Sequence, residues 1–210
     1  MFFKTASTFS LADLDTFGRL CKTLSTVPTL LPAAQTKDKN AITPEQAKEL
    51  VQELEKEFDY VIIDCPAGIE RGFQNAIAGA KSAIVVTVPE VSSVRDADRI
   101  IGLLGAAEVE DVRLLINRLR PDLVKKGDML AIDDTLEILG IDLIGVVPED
   151  ELIFRSSNLG EPAVTDDSSK AGLAYRQVVE RILGKDVPIS TPEEKTGFFS
   201  KVRKLFGGKE

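Results

Sequence analysis

Short apolar runs alternate with stretches of helical spacing along most of this chain. The runs are rich in Val and Ile and end at Asp64, Val88, Asn117 and Val147, each followed within two residues by Pro or a charged residue. Between the runs, apolar residues recur every three or four positions, as they do on one face of a helix. Strands that alternate with helices in this way predict an α/β fold with a mostly parallel sheet, flanked by helices on both faces.

The individual elements follow from these runs and from the residues that punctuate them. The predicted strands are a run from Phe58 that ends at Asp64, then 83–88, 113–117 and 141–147, with a strand remnant at 27–31. The predicted helices are 43–58, 69–80, one that Ser93 caps, 133–139 and 170–183, with Gly184 as the stop of the last. Thr43 is predicted to be an N-cap because Pro44 and Gln46 follow it at the favoured positions.

Four segments differ in composition. Residues 1–28 are predicted to be a separate, poorly ordered N-terminal segment, and residues 29–186 carry the alternation of strands and helices that defines the predicted domain. Residues 187–196 have the Pro, Ser and Thr content of a linker. Residues 197–210 form a distinct C-terminal segment.

The composition limits the classes of function. With 43% hydrophobic and 29% charged residues the chain can bury a sizeable core, and its net charge of −8 argues against nucleic acid as a partner. His is absent, which excludes imidazole catalysis and His-ligated metals. No apolar stretch approaches the roughly 20 residues that a membrane-spanning helix needs. Two distant cysteines, Cys21 and Cys65, fit a reduced cytosolic compartment, and Cys65 is predicted to be a small buried residue.

Polar residues at the ends of the predicted strands suggest a ligand site. Ligands of open α/β sheets bind at the carboxyl edge, where an Asp such as Asp64 commonly holds Mg²⁺, usually through water, beside nucleotide phosphates. Asn117 could read an adenine edge, or could be a turn residue. Gly68 could offer an amide to a phosphate, or could serve a simple turn. Backbone groups at Pro148 and Glu149 could contact a base, although composition alone favours a solvated acidic loop.

The usual partner of such an Asp is missing from the sequence. A Gly-rich loop that ends in Gly-Lys-Ser/Thr would cradle the phosphates, and no stretch of the 210 residues has this pattern. The nearest match, residues 79–82, lacks both the Gly before the Lys and the upstream Gly, and it precedes a predicted strand. The sequence therefore predicts the magnesium side of a nucleotide site without its phosphate side.

The C-terminal segment has an amphipathic pattern. Its large apolar residues fall within one stripe of a helix, while its polar residues lie opposite: Phe198, Phe199, Val202, Leu205 and Phe206 against Ser200, Lys201, Arg203 and Lys204. Residues 195–210 contain five basic residues and one acidic residue. A cationic helix with bulky aromatic residues suits an anionic membrane surface. The other interpretation is an ordinary helix that docks on the body of the protein.

Five stretches of the sequence carry a family resemblance. They are Asp-Cys-Pro-Ala-Gly-Ile-Glu at 64–70, Val-Pro-Glu-Val-Ser-Ser-Val-Arg-Asp-Ala-Asp-Arg-Ile at 88–100, Lys-Gly-Asp-Met-Leu at 126–130, Ile-Gly-Val-Val-Pro-Glu-Asp at 144–150 and Ser-Asn-Leu-Gly-Glu-Pro at 157–162. Together they closely resemble the MinD family of septum site-determining ATPases, which belong to the deviant Walker A, P-loop type. The similarity runs from about Leu30 to the C-terminus, and a cationic amphipathic tail is itself a feature of the family.

The resemblance implies a function and a set of roles. It implies a parallel α/β ATPase that binds ATP and Mg²⁺, forms a homodimer, attaches peripherally to the cytoplasmic face of the cell membrane and recruits a MinC-like septum inhibitor, under control of a MinE-like topological regulator. Asp64 corresponds to the acidic residue near Mg²⁺ and Gly68 to a switch glycine. Asn117 matches an adenine-reading position, and Pro148 and Glu149 lie on the adenine loop. Residues 90–100 lie in the region that resembles the partner-binding helix.

One departure from the family pattern leaves two functions open. The phosphate loop, the dimer-signature Lys and switch I of the family have no counterpart in residues 1–27, so an N-terminally truncated sequence is expected. The chain is then either an ATP-dependent cell-division-site regulator or a catalytically inactive, membrane-associated fragment that only binds partners. A partitioning ATPase that acts on DNA-bound cargo is disfavoured by the acidic charge and the lipid-suited tail.

Overall fold

The computed structural model describes residues 42–65 and 68–190, apart from the side chain of Ser157. The described strands are β1 (Ser82–Thr87), β2 (Asp111–Leu119) and β3 (Asp142–Pro148). The described helices are α1 (Pro44–Leu54), α2 (Arg71–Ala78), α3 (Val91–Ala106), α4 (Pro121–Lys126), α5 (Ile132–Leu139), α6 (Glu151–Leu159), a 3₁₀ turn (Ala163–Thr165) and α7 (Lys170–Ile182). This order confirms the predicted alternation of strands and helices.

The described residues form two compact units. The first contains the residues up to Ala83 together with 102–111, and the second contains 84–101 and the residues from Val112 onward. The first unit therefore holds α1 and α2. The second holds β3, α4 to α7 and most of β2.

Helix α1 begins as the sequence predicts. The Thr43 hydroxyl accepts a hydrogen bond from the Gln46 N–H at 3.3 Å, and the Gln46 side chain accepts one from the Thr43 N–H at 3.0 Å. This capping box satisfies two backbone donors that a helix start leaves without partners. Val51 is the buried residue of the helix, and Gly79, just after α2, lies so close that an added Cβ would be 2.9 Å from the Val51 Cβ. The small residue allows α1 and α2 to approach each other.

The apolar run that ends at Asp64 is not a strand, so this prediction is wrong. Residues 59–64 have no strand assignment, Tyr60 is 57% exposed, and Asp64 lies at the surface. An apolar run becomes a strand only when a neighbouring strand completes its hydrogen bonds. The part of the chain that the structure describes supplies no such neighbour for this run.

The three described strands form one sheet in the order β1-β2-β3. β2 and β3 run parallel, with Leu114 opposite Leu143 and Ile116 opposite Val146. The pairing shifts by one residue twice, between Leu114 and Leu115 and between Ile116 and Leu119. The mostly parallel sheet confirms the predicted fold class. The full cover on both faces that was expected is not seen at β1, where Val86 is 43% exposed.

The core of the second unit lies between β3 and α7. It is built from Leu115, Ile144, Val147, Ala171 and Val178, each at most 5% exposed. The helix approaches the strand closely at Gly145, where an added Cβ would lie 2.4 Å from Val178 Cγ2. A side chain at this position would push α7 away from the sheet, since protein interiors are close-packed.

The sequence analysis misplaced the start of one helix and missed three short elements. Helix α3 begins at Val91, and the Glu90 carbonyl accepts its first hydrogen bond from the Val94 N–H at 2.9 Å, so Ser93 is inside the helix and is not its cap. The α4 helix, the α6 helix and the 3₁₀ turn were not predicted. By contrast, α7 ends as expected, with Gly184 in the left-handed region at φ 80°.

Several predictions fall outside the described residues. They are the N-terminal segment 1–28, the strand remnant 27–31, most of the linker and the amphipathic segment 197–210. Between residues 42 and 190, setting aside 66 and 67, no helix has the length and apolar character that crossing a membrane requires.

Candidate functional site

The carboxyl ends of β2 and β3 bring three of the predicted site residues together. Because the two strands are parallel, Leu119 lies opposite Pro148, and the Glu149 N–H donates to the Leu119 carbonyl at 3.0 Å. Asn117 is two residues before Leu119 in the same strand. The predicted adenine-side residues, Asn117, Pro148 and Glu149, therefore share one edge of the sheet.

A bulge in β2 shapes this edge. Three steps along β2, from Ile116 to Leu119, match only two along β3, so β2 carries one extra residue here. The extra residue falls at Asn117–Arg118, and Arg118 has a left-handed backbone with φ 55°. Bulges of this kind bend a strand and change the direction of its side chains. Asn117 is thus inside β2 rather than at the end that the sequence analysis assigned to it.

The amide of Asn117 has a fixed orientation. Its Oδ1 accepts a hydrogen bond from the Arg118 N–H at 2.9 Å and a longer one from the Tyr175 hydroxyl at 3.5 Å. The backbone donor identifies this atom as the oxygen, so the NH₂ group is the end left to contact a ligand. Burial raises the pKa of Tyr175. Tyr175 thus remains a neutral donor at physiological pH.

A surface ion pair joins the two strand ends. Arg118 Nε lies 2.9 Å from Glu149 Oε2, and Arg118 Nη2 lies 3.4 Å from Glu149 Oε1. The hydrogen bond to Glu149, followed by the charge of Glu149, raises the pKa of Arg118, and Glu90, the residue before α3, adds a smaller contribution. The Arg118 side chain is 65% exposed, and exposed pairs contribute only about 0.2–1 kcal/mol. The pair orients this edge more than it stabilises it.

Asp150 holds the loop after β3, a role that the sequence analysis missed. Its Oδ2 accepts from the Ser169 hydroxyl at 2.9 Å and from the Ala171 N–H at 3.1 Å, and its Oδ1 accepts from the Leu152 N–H at 3.0 Å. Partial burial raises the pKa of this carboxyl, but the hydrogen bonds outweigh it and the net pKa is lowered. One carboxylate thus connects the start of α6 with the start of α7. The sequence signal was an Asp directly before an apolar stretch, as at a helix start.

The remaining predicted site residues, Asp64 and Gly68, belong to the other unit. Asp64 is exposed at the surface, and Gly68 has φ 96°, a conformation that glycine adopts readily. Cys65 is also exposed, so its predicted burial is wrong. Loss of hydration beside neighbouring atoms raises the pKa of the Cys65 thiol, and the negative charge of Asp64 raises it further. The neutral thiol is therefore a poor nucleophile.

The donors and acceptors at the sheet edge fit the base of a nucleotide. Pro148 has no N–H and that of Glu149 is engaged by Leu119, so a base beside this loop would meet carbonyl acceptors. Acceptors suit the amino group of adenine, and the Asn117 NH₂ suits a ring nitrogen. In residues 42–65 and 68–190, no three acidic, Cys or His side chains gather as a metal site. Asp64 fits Mg²⁺ as one carboxylate among water and phosphate ligands.

Helix α3 presents an exposed, charged face. Val94 and Ala97 are buried, while Arg95, Asp98 and Arg99 are exposed. A hollow of about 300 Å³ opens next to the start of the helix. Its lining residues are Glu90, Val91, Val124, Gly127, Asp128, Met129, Leu130, Ala131 and Asp134. The predicted partner-binding region, residues 90–100, thus combines an exposed charged face with a neighbouring hollow.

The sequence is similar to curated septum site-determining proteins. It is 54% identical to MinD of Bacillus subtilis over 180 residues, which cover 85% of this chain and 67% of the relative. It is 51% identical to MinD of Synechocystis over 160 residues, covering 76% and 60%, and 45% identical to MinD of Escherichia coli K12 over 189 residues, covering 85% and 69%. The chain thus spans three-fifths to about two-thirds of these relatives. No family model matches it.

Solved structures agree with the sequence relatives. MinD in the MinC:MinD cell division complex of Aquifex aeolicus has a TM-score of 0.72 at 32% identity, over 90% of this chain and 85% of that chain. A further MinD structure from Aquifex aeolicus has a TM-score of 0.69 at 31% identity, over 90% and 86% of the two chains. MinD of Pyrococcus horikoshii, complexed with Mg-ADP, has a TM-score of 0.65 at 23% identity, over 86% and 78%, and supports the fold alone.

Proposed function

This chain belongs to the MinD family of septum site-determining proteins, and we propose that it regulates cell division by binding a MinC-type septum inhibitor. The observation that carries the proposal is the similarity of its fold to MinD in a MinC:MinD complex, at 32% identity over 90% of the chain. The identity of 54% to a curated MinD supports the same conclusion.

The proposed inhibitor surface is the exposed face of α3. Its polar residues alternate in charge, with Arg95 and Arg99 beside Asp98, and all three are exposed. Complementary charges across an interface set its specificity and its rate of association, and a reversed charge costs several kcal/mol when it meets a like charge. Val94 and Ala97 lie on the opposite, buried side of the same helix.

We expect Asp98→Arg to weaken inhibitor binding at least tenfold. The new positive charge would face a surface of the inhibitor that is complementary to the negative charge of Asp98. The measurement is the dissociation constant for the MinC-type protein encoded in the same genome, obtained by biolayer interferometry in low and moderate salt. Glu49→Arg is the matched control, since Glu49 is also an exposed acidic residue, but on α1. Equal binding by wild type and Asp98→Arg, or no binding by wild type, would contradict the proposal.

ATP and Mg²⁺ are the proposed ligands. Asn117 would donate to the base, and the loop at Pro148 and Glu149 would accept from its amino group. Asp64 would hold Mg²⁺ through water. When bound, Mg²⁺ would neutralise the charge of the phosphates. The chain orients the Asn117 amide for the base, because the Arg118 N–H holds the amide oxygen before any ligand binds.

Binding without hydrolysis is the second candidate function, and the sequence favours it. Phosphoryl transfer depends on a loop Lys and backbone amides that stabilise the transition-state charge, and the 210 residues contain no Gly-rich loop of that pattern. A chain of this kind would bind its partners and hydrolyse nothing. Phosphate release above background that is lost in Asp64→Ala would show instead that this chain is an ATPase.

Attachment to the cytoplasmic face of the cell membrane is part of the proposal. Burial of the five large apolar residues of 197–210 is worth roughly 7–15 kcal/mol as an upper bound. Basic residues near anionic lipid add about 1 kcal/mol each, whereas ordering some ten residues costs on the order of 10–20 kcal/mol. One copy would bind weakly and a homodimer far more tightly through avidity. A MinE-like regulator would act on this balance.

A further inference from the structure

The Arg181 side chain, near the end of α7, binds three backbone carbonyls. Its Nη1 donates to the Ile144 carbonyl at 2.9 Å, its Nε to the Val187 carbonyl at 2.7 Å and its Nη2 to the Pro188 carbonyl at 2.6 Å. The first acceptor belongs to β3, and the other two belong to the chain just beyond α7. Arg181 therefore connects three segments that are not adjacent in sequence.

The acceptor on β3 belongs to Ile144, which has no paired residue in the register of β2 with β3. Leu143 and Gly145 pair with neighbouring residues of β2, which leaves Ile144 as the extra residue of a bulge. Ile144 is 3% exposed, so its carbonyl is shielded from bulk water. Arg181 donates to this buried carbonyl at the register shift. Gly145, the next residue of β3, lies in the same tightly packed region: an added Cβ would clash with Val178 Cγ2 at 2.4 Å, but would lie at an ordinary contact distance of 3.5 Å from Arg181 Nη1.

The other two acceptors show where the chain leaves the body. After α7 the backbone turns at Gly184, which has φ 80°, and the next two residues are exposed. Val187 and Ile189 are then partly buried again. The first residues of the predicted linker are thus docked through Arg181, so the chain that leads to the C-terminal segment departs from Pro188 rather than from the end of α7.

Only an arginine can make this set of contacts. The guanidinium group is a rigid planar fork whose nitrogens point in fixed, different directions, whereas the lysine ammonium is a single compact charge. Lysine at this position would bind one carbonyl and leave the linker carbonyls without a donor. Lys185 nearby pairs with Glu180 at 3.1 Å and takes no part in these contacts.

We propose that Arg181 is a clamp that docks residues 187–188 beside β3 and fixes the origin of the C-terminal segment. From Pro188 to Gly197 the chain has eight intervening residues, 189–196, which span at most about 29 Å. From Leu183 it would have thirteen, 184–196, which span at most about 47 Å. The clamp thus limits how far the segment reaches. The membrane role of the segment rests on the proposed function, but the docking does not.

The test is backbone ¹⁵N relaxation on the full chain, with Arg181→Lys as the variant. In wild type we expect the Val187, Ile189 and Ser190 amides to be rigid, with order parameters of about 0.85, and in the variant to fall below about 0.6. Amides of β3 and α7 should not change. Lys185→Gln is the matched control, because it removes a cation at the same helix end without touching a carbonyl, and it should leave all three amides rigid.

Unchanged order in Arg181→Lys, or equal loss of order in Lys185→Gln, would overturn the proposal. If Arg181→Lys fails to fold, a measurement on wild type decides: scalar coupling across the hydrogen bond from Arg181 Nε to the Val187 carbonyl carbon supports the clamp, and its absence overturns it. Sedimentation with phosphatidylglycerol vesicles separates the two ideas. If the full chain fails to bind vesicles, the membrane proposal is wrong. The docking of residues 187–188 by Arg181 is then still decided by the relaxation measurement.

Discussion

Gly172→Ala is expected to lower the free energy of unfolding by about 1–3 kcal/mol, although alanine normally favours a helix. Gly172 lies in the first turn of α7, and an added Cβ would be 2.3 Å from the Ala163 carbonyl oxygen. Backbone atoms cannot move aside as a side-chain tip does, so overpacking costs more than the propensity gain of about 0.5–1 kcal/mol. Urea unfolding monitored by circular dichroism measures the change.

Gly102→Ala is the matched control for this substitution. Gly102 also lies inside a helix, α3, but an added Cβ there would meet nothing within 4 Å. The helix-propensity gain then stands alone, and we expect stabilisation by about 0.5–1 kcal/mol. Opposite signs for the two substitutions support the packing described here. Destabilisation by both, or by neither, would contradict the close approach of α7 to the 3₁₀ turn.

Asp150→Ala is expected to cost about 2–4 kcal/mol. The substitution removes the acceptor of the Ser169 hydroxyl and the Ala171 N–H, which are 1% and 0% exposed as residues, and also that of Leu152. Buried donors that lose a charged acceptor cost about 1–3 kcal/mol, and such effects do not add fully. Asp142→Ala is the control, since Asp142 is exposed, and its unfolding midpoint should hardly change.

The same carboxylate gives a prediction for the dependence of stability on pH. The folded-state pKa of Asp150 is lowered, so its contribution is complete above the unfolded-state value of about 4 and disappears as the pH falls through the folded-state pKa. Asp150→Asn should therefore reduce the acid sensitivity of unfolding, and the difference between wild type and variant should shrink below pH of about 4. A constant difference across that range would contradict the hydrogen-bonded, ionised carboxylate.

The sequence predicts the elements whose signals are local. The capping box at Thr43 and the stop at Gly184 depend on residues within one turn, and both are present in the structure. The runs at 83–88, 113–117 and 141–147 become β1, β2 and β3 with small shifts at their ends. These runs also predict the grouping of Asn117 with Pro148 and Glu149, because parallel strands share one carboxyl edge.

Other features depend on partners that the sequence does not reveal. The run that ends at Asp64 has the composition of a strand, but a strand needs a hydrogen-bonded neighbour, and composition does not supply one. The bulge at Asn117–Arg118 arises from the register of β2 against β3, which are about thirty residues apart, and no local pattern encodes it. The role of Asp150 does not follow from the sequence, because its three donors lie in α6 and at the start of α7. The short α4 helix, Pro121–Lys126, has too few residues to show a period.

The most direct measurement of the proposed function is recruitment of the inhibitor to membrane. A fluorescent MinC-type inhibitor from the same genome would be floated with phosphatidylglycerol-rich vesicles, with ATP and Mg²⁺ present, and its bound fraction measured. We predict that the inhibitor floats with vesicles only when the full chain is added, and that removal of residues 197–210 or Asp98→Arg returns it to background. An inhibitor fraction on vesicles that is the same with and without this chain would contradict the account.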